Sequence, residues 1–253
     1  MDDRPNLLVI IADQCRADVF GHAGNPDMAT PVFDRLAREG HVAHGACSHS
    51  PVCVPFRAAL QTGRYLGRTG VDSNERDLSV ADLARTSLAD RFNAAGYRTG
   101  YIGKTHWSRR LGHADDHQGR DRLGWQDWYG GCSPDLYRAP YLPDGRPNTA
   151  HAPTPWEPET QTTIALDWIR HQRDGGQPWH LQLHWGPPHQ DTPDMGAFRA
   201  RCRQLAAERG WGLDAQHFAD DHALTQIIPH HLLRPTVPQR FLDRYEQRDL
   251  RLD

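Results

Sequence analysis

Residues 6–14 read Asn6-Leu7-Leu8-Val9-Ile10-Ile11-Ala12-Asp13-Gln14, a continuous aliphatic run that ends in a carboxylate and an amide. Such runs are typical of strands that are buried on both faces of a parallel sheet. Asp13 falls where this strand should end, and α/β proteins bind ligands at the carboxyl ends of their strands. Because hard divalent cations take oxygen ligands, Asp13 and Gln14 are candidate metal ligands. The ordinary alternative is that the pair caps a turn or a helix.

Strand and helix patterns alternate along the rest of the chain, which predicts an α/β domain with a mostly parallel central sheet flanked by helices. The predicted helices are residues 30–40, 55–62, 79–95, 157–173 and 195–209, and the predicted strands are residues 41–46, 99–103 and 179–185. Residues 104–156 lack periodicity and are predicted to form long loops. We expect residues 1–253 to form one domain, with a core over 4–190 and a helical or irregular tail over 191–253.

The composition of the chain argues against several classes of function. The chain has 253 residues and a net charge of -3, so nothing indicates a nucleic-acid partner. No apolar run approaches the ~20 residues that span a membrane. The first aliphatic run is short for a signal peptide, and the five scattered cysteines indicate no disulfide framework. We therefore expect a soluble, cytoplasmic protein.

A cysteine stands at the start of a predicted helix, within Ser50-Pro51-Val52-Cys53-Val54-Pro55-Phe56-Arg57. Backbone N–H groups at a helix N-terminus favour an anion beside Cys53. Arg57 lies one turn further on and can bring its guanidinium group back to the same point. Taken alone, Cys53 would be a buried inert cysteine and Arg57 half of a surface ion pair. The combination favours a reactive site.

Residues that could take part in a reaction follow two further predicted strands. Lys104 is the only lysine of the chain and follows a predicted strand, with His106 two residues later. A lysine can bind an anionic ester, and a histidine can act as an acid or base. His189 follows two prolines after the strand that ends at Trp185, where it could protonate a leaving group. A solvated lysine and a loop histidine are the ordinary alternatives.

In combination and in order, these motifs resemble the sulfatase family of the alkaline-phosphatase superfamily. The resemblance covers roughly the first 190 residues and implies an alkaline-phosphatase-like fold. It implies that a formylglycine-generating enzyme oxidises Cys53 to formylglycine, and that the hydrated aldehyde attacks a small anionic ester. It also implies that Asp13, Gln14 and residue 53 bind calcium or another divalent cation such as Mn²⁺.

The resemblance implies a role for each remaining motif. Arg57 would hold the nucleophile and the metal in place, and Lys104 would bind the ester. His106 would contact the hydrated aldehyde, and His189 would meet the ester oxygens or the leaving group. Asn74 is a further candidate for substrate contact.

Three departures from the family pattern leave alternatives open. Gln14 replaces an acidic residue, as in the phosphonate monoester hydrolase and choline-sulfatase members, so a phosphate or phosphonate monoester is an alternative substrate. Phe56 replaces a small residue of the modification signal. The family's later metal ligands and later lysine have no counterpart, so calcium should bind poorly. We therefore expect a C-terminally truncated chain, completed by an oligomer or a complementing fragment, or an inactive homologue that serves as a binding module.

Overall fold

A computed structural model describes residues 3–78, 86–107, 122–131, 141–142, 144–147, 156–173, 175–189 and 195–212. The chain divides into two compact units, Met1–His189 and Gln190–Asp253. The described part of the second unit contains one helix, Met195–Arg209, with the bounds expected from sequence. That residues 1–253 form a single domain stays a prediction. None of the helices in the described ranges is long and apolar enough to cross a membrane.

The first unit is built on a four-stranded sheet. Its strands are β1 (Leu7–Asp13), β2 (Arg98–Lys104), β3 (Asp127–Gly131) and β4 (Trp179–Pro188). Their order is β1-β4-β2-β3, and the three strand pairs of this described sheet are parallel. The predicted α/β class with a parallel sheet is therefore confirmed.

Helices connect the strands of this sheet. They are α1 (Pro31–Glu39), α2 (Cys53–Thr62), α3 (Leu66–Thr69), α4 (Leu88–Ala94) and α5 (Glu157–Arg173). Helix α2 begins two residues before the predicted start, so Cys53 is its first residue. It ends at Gly63, whose left-handed backbone donates a hydrogen bond to the Ala59 carbonyl over 2.7 Å. Helix α4 begins with a capping box formed by Ser87 and Asp90. Residues 79–85, also predicted to be helical, lie outside the described residues.

Two sequence predictions about strands are wrong. Residues 41–46 form turns and irregular backbone, and residues 127–131, predicted to be loop, form β3. The sequence of β3 contains Asp127 and two glycines, which are poor strand formers. Its pairing with β2 and the packing of Trp128 on Tyr101, with ring centroids 5.3 Å apart, outweigh that local preference.

The core lies around the two central strands, β2 and β4. Tyr101, Ile102 and Leu181 are fully buried there. The alternation of residues 179–185 predicted one apolar and one polar face, and the structure buries both faces, including His180, Gln182 and His184. The polar face of β4 therefore has to satisfy its hydrogen bonds inside the protein.

Strand β1 is more exposed than its sequence predicted. Its aliphatic run predicted burial on both faces, but Leu8 is 45% exposed and Ile10 is 48% exposed. The reason is its position, because β1 is an edge strand of the described sheet and pairs with β4 there.

Gly103 allows β2 and β4 to approach each other. Its backbone has φ 97°, and a Cβ atom built there would lie 2.0 Å from the His184 carbonyl oxygen. Gly103→Ala should therefore lower the free energy of unfolding by about 3 kcal/mol or more. Gly67→Ala in α3 is the control, because its Cβ would meet nothing within 4 Å. We expect the control to change stability by less than about 1 kcal/mol. Urea unfolding curves test the pair, and equal stability of the two variants would contradict this packing.

Candidate active site

The carboxyl ends of three parallel strands bring the predicted site residues together. Asp13 is the last residue of β1, Lys104 is the last residue of β2, and His189 follows directly after β4. Helix α2 contributes Cys53 as its first residue and Arg57 one turn later. α/β proteins bind their ligands at these carboxyl ends of the strands of a parallel sheet.

Cys53 lies at the centre of this group. Its Sγ is 4.0 Å from Asp13 Oδ2 and 3.9 Å from Lys104 Nζ. One ligand-type atom each of Asp13, Cys53 and His189 lies within 4.8 Å of the others. Residues separated by up to 176 positions in sequence (13 to 189) thus share one point in space. The side chain of Cys53 is half-buried, so the group is reachable from one side.

Two buried cations share one carboxylate at this point. Arg57 is 1% exposed and Lys104 is 3% exposed, and both pair with Oδ2 of Asp13. The Arg57 Nη2 atom lies 3.2 Å from that oxygen, and its Nη1 atom donates to the Lys104 carbonyl over 2.7 Å. Buried charges are costly unless they are paired. With two cations and one carboxylate, these three residues together carry a net charge of +1.

Burial and these charges together determine the protonation states of Asp13 and His106. Burial raises the pKa of the Asp13 carboxyl, but Arg57 and Lys104 outweigh it and hold that pKa at about 2. Burial, reinforced by Lys104 and Arg57, lowers the pKa of His106 to about 4. At neutral pH Asp13 is therefore ionised, and His106 is neutral.

Two predicted site residues occupy different surroundings. The side-chain oxygen of Asn74 accepts a hydrogen bond from the Val54 backbone N–H over 2.9 Å, so Asn74 stabilises the first turn of α2. Gln14 follows Asp13 with a left-handed backbone, φ 57°, and an exposed side chain. Their predicted roles, substrate contact for Asn74 and metal binding for Gln14, stay predictions.

His184 contacts the site, although no motif in the sequence singled it out. Its Nδ1 atom lies 2.8 Å from Arg57 Nη1, inside the core. The signal available in the sequence was the run of polar residues His180, Gln182 and His184 on one face of a strand. That pattern ordinarily indicates a solvent-facing side, and only the burial of both faces of β4 reveals the contact.

The donor set does not by itself fit a calcium ion. Calcium takes six to eight oxygen ligands. The cluster of Asp13, Cys53 and His189 offers one carboxylate together with sulfur and nitrogen atoms, and Arg57 and Lys104 already bind the carboxylate oxygen. Gln14 could add one amide oxygen. These residues supply only part of a calcium shell, and calcium binding stays a prediction.

An apolar groove of about 930 Å³ adjoins the cluster. Its lining includes Phe56 from α2, Cys15 just after β1, and Trp185, Pro187 and Pro188 from β4. Grooves of this size and character commonly bind small molecules. The groove therefore places apolar surface next to the charged group.

The fold and site define a parallel α/β protein with a cationic pocket around a cysteine at a helix N-terminus. The family model described as Sulfatase matches residues 5–248, and the chain belongs to the sulfatase family. This confirms the resemblance found in the sequence.

Relatives agree with this assignment. The ulvan-active sulfatase of Formosa agariphila is 36% identical over 149 residues, which are 58% of this chain and 28% of that protein. The endo-4-O-sulfatase of Bacteroides thetaiotaomicron is 26% identical over 223 residues, which are 74% of this chain and 43% of that protein. Among solved structures, the sulfatase homologue yidJ of Bacteroides fragilis superposes with a TM-score of 0.63 at 26% identity. That match covers 87% of this chain and 51% of yidJ. The chain thus spans about half or less of these relatives.

The depressed pKa of Asp13 makes stability depend on pH. The folded value of about 2 lies below the usual 3.8, so the stabilisation is complete above about pH 4 and is lost as the pH falls toward 2. At about pH 5, Asp13→Asn should cost about 3 kcal/mol, because Arg57 and Lys104 lose their counter-charge. The difference from wild type should shrink toward pH 2. Guanidinium unfolding at several pH values tests this, and a pH-independent difference would contradict it.

The burial of Lys104 can be tested chemically because it is the only lysine. An amine-acylating reagent should leave Lys104 unmodified in the native protein, since its ammonium group is buried and paired with Asp13. The same reagent applied to the denatured chain is the control and should label Lys104 fully. Peptide mass spectrometry reads both results. Rapid labelling of native Lys104 would show that the ion pair is not formed.

Proposed function

We propose that this chain carries the nucleophile and anion-binding residues of a hydrolase that cleaves sulfate monoesters. The observation that carries the proposal is the convergence of Asp13, Cys53 and His189 with the buried cations Arg57 and Lys104. The ulvan-active sulfatase and the endo-4-O-sulfatase among the relatives support the same class of substrate.

The sulfate group would bind beside Lys104 and Arg57, whose two positive charges share the single carboxylate of Asp13. Lys104 and Arg57 supply charge-assisted hydrogen bonds to anionic oxygens. The N-terminus of α2 adds the backbone N–H of Cys53 and the positive end of a ten-residue helix. Donors held in place before the substrate arrives stabilise charge that develops during the reaction without having to reorganise.

The position of residue 53 suits a nucleophile. Its sulfur lies at the start of a helix, beside a lysine and open to one side. Oxidised to formylglycine and hydrated, residue 53 would supply one hydroxyl to attack sulfur and a second whose deprotonation releases the product. The neutral ring of His106 can accept a hydrogen bond from one of these hydroxyls. His189, close to Cys53 and Asp13, can donate a proton to the oxygen of the departing alcohol.

The groove next to the charged group would hold the alcohol part of the ester. Phe56 lies one turn beyond Cys53 in α2, and Pro188 directly precedes His189. An alcohol lying on these apolar side chains would have its ester oxygen near the cysteine and the histidine. Binding energy from this part of the substrate can orient the reacting group.

The proposal is tested by what happens to Cys53 and by which ester is turned over. The chain is produced together with a formylglycine-generating enzyme, and mass spectrometry of the peptide that contains Cys53 should show the aldehyde. Nitrophenyl sulfate should then be hydrolysed. Cys53→Ala is the matched control and should lower turnover by about a thousand-fold or more.

Other outcomes of this experiment favour the alternatives. Faster hydrolysis of nitrophenyl phosphate or of a phenylphosphonate monoester would favour the phosphate or phosphonate hydrolase. If Cys53 stays a thiol and no ester is turned over, the chain acts without this chemistry, as the anion-binding module considered from the sequence.

A further inference from the structure

A row of buried side chains links Trp125 to the arginine of the site. Trp125 Nε1 lies 3.1 Å from Gln61 Oε1, and Gln61 Nε2 lies 2.7 Å from Gln182 Oε1. The same Gln182 oxygen is 3.1 Å from His184 Nε2, and His184 Nδ1 is 2.8 Å from Arg57 Nη1. Gln61, Gln182, His184 and Arg57 are each at most 1% exposed. Water is thus shut out from these four groups.

The direction of every hydrogen bond in this row follows from its first member. The indole N–H of Trp125 can only donate, so Gln61 must present its oxygen to Trp125 and its NH₂ group to Gln182. Gln182 must then accept with its oxygen, which leaves the ring nitrogen Nε2 of His184 as a donor. The NH₂ group of Gln182 lies 3.4 Å from His180 Nε2, which agrees with this orientation.

The last member of the row requires the same arrangement. The guanidinium group of Arg57 also can only donate, so Nδ1 of His184 must present a lone pair to it. Both ends of the row therefore select one state of His184, the neutral ring protonated on Nε2. We propose that Gln182 and His184 are positioning residues, which hold Arg57 against Asp13 and Lys104 by keeping this lone pair directed at its guanidinium group.

The same hydrogen bonds exclude the other neutral form of His184, in which the proton is on Nδ1. The Tyr101 hydroxyl lies 3.0 Å from His184 Nδ1 and could accept from a protonated Nδ1. That state would point an N–H at Arg57 and would leave Nε2 without a proton for Gln182. Turning the Gln182 amide to compensate would set its NH₂ group against that of Gln61. The single proton of Tyr101 instead goes to the Lys104 carbonyl, 2.6 Å away.

The consequence for catalysis rests on the proposed function. Arg57 donates from Nη1 to His184 and to the Lys104 carbonyl, and from Nη2 to Asp13. With both nitrogens engaged, the guanidinium plane has one orientation relative to Cys53. Loss of the His184 acceptor would remove one of the three hydrogen bonds that fix this plane, and the plane could then shift. A displacement of about 1 Å in a positioning group can cost on the order of a hundred-fold in rate.

The protonation state of His184 can be measured directly in the unmodified chain. Two-dimensional NMR of ¹⁵N-labelled imidazole rings distinguishes a proton on Nε2 from one on Nδ1, and the signals lost in His184→Gln assign the ring. At neutral pH we expect a neutral ring with its proton on Nε2. A proton on Nδ1, or on both nitrogens, would overturn the inference. This result does not depend on whether the chain hydrolyses any ester.

A single substitution tests the link to Arg57. Gln182→Glu keeps the shape of the side chain but sets a carboxylate beside Nε2, which favours the doubly protonated ring and removes the lone pair from Arg57. We expect the NMR signals of a charged ring and a fall in kcat of about 10- to 100-fold. Gln177→Glu adds the same charge at an exposed position and should change neither.

The two readouts separate the possible failures. Charged-ring signals together with unchanged turnover would contradict the positioning role. Absence of turnover in the wild type as well would contradict the proposed function and leave the NMR result as the test of the hydrogen-bonded row. If Gln182→Glu does not fold, the ring state of the wild type still decides.

Discussion

The rest of the site depends on one buried carboxylate held between two buried cations. Asp13 ends β1, Lys104 ends β2, and Arg57 reaches both from α2. Without Asp13, both buried cations would lose their counter-charge, which is costly inside a protein. The pairing fixes the distance between the first strand, the central strand and the helix that carries Cys53. It also leaves an excess of positive charge beside that cysteine, which favours an anionic ligand.

Asp13 ends strand β1, and this strand is only partly buried. Strand β1 pairs with β4 in the described sheet, and Leu8 and Ile10, which share one face of β1, are half-exposed. Helix α1 likewise exposes Val32, Phe33 and Leu36. Solved relatives are about twice as long as the part that this chain matches, with 51% of yidJ covered. The partial set of calcium ligands and the exposed aliphatic side chains thus both belong to the segment of strand β1 and the residue after it.

Sequence patterns predicted the elements whose signals are local. Helix α5 has the predicted bounds because its apolar residues repeat with helical spacing over seventeen residues. The sequence also placed Asp13, Cys53, Lys104 and His189 at the ends of strands or at the start of a helix, where the structure has them, and their catalytic roles stay predictions. Strand β3 was missed because Asp127 and two glycines hide a segment that only pairing with β2 makes extended. The contact of His184 with Arg57 was missed because a polar strand face gives no sign that it is buried.

If Arg57 and Lys104, after sharing Asp13, retain enough positive charge to hold a tetrahedral dianion beside Cys53, the purified chain should bind inorganic sulfate. Calorimetric titration measures this binding. We expect one sulfate to bind per chain, with an affinity that is at least ten-fold weaker, about 1.4 kcal/mol, in Lys104→Met. Absence of sulfate binding, or equal affinity in wild type and Lys104→Met, would contradict it.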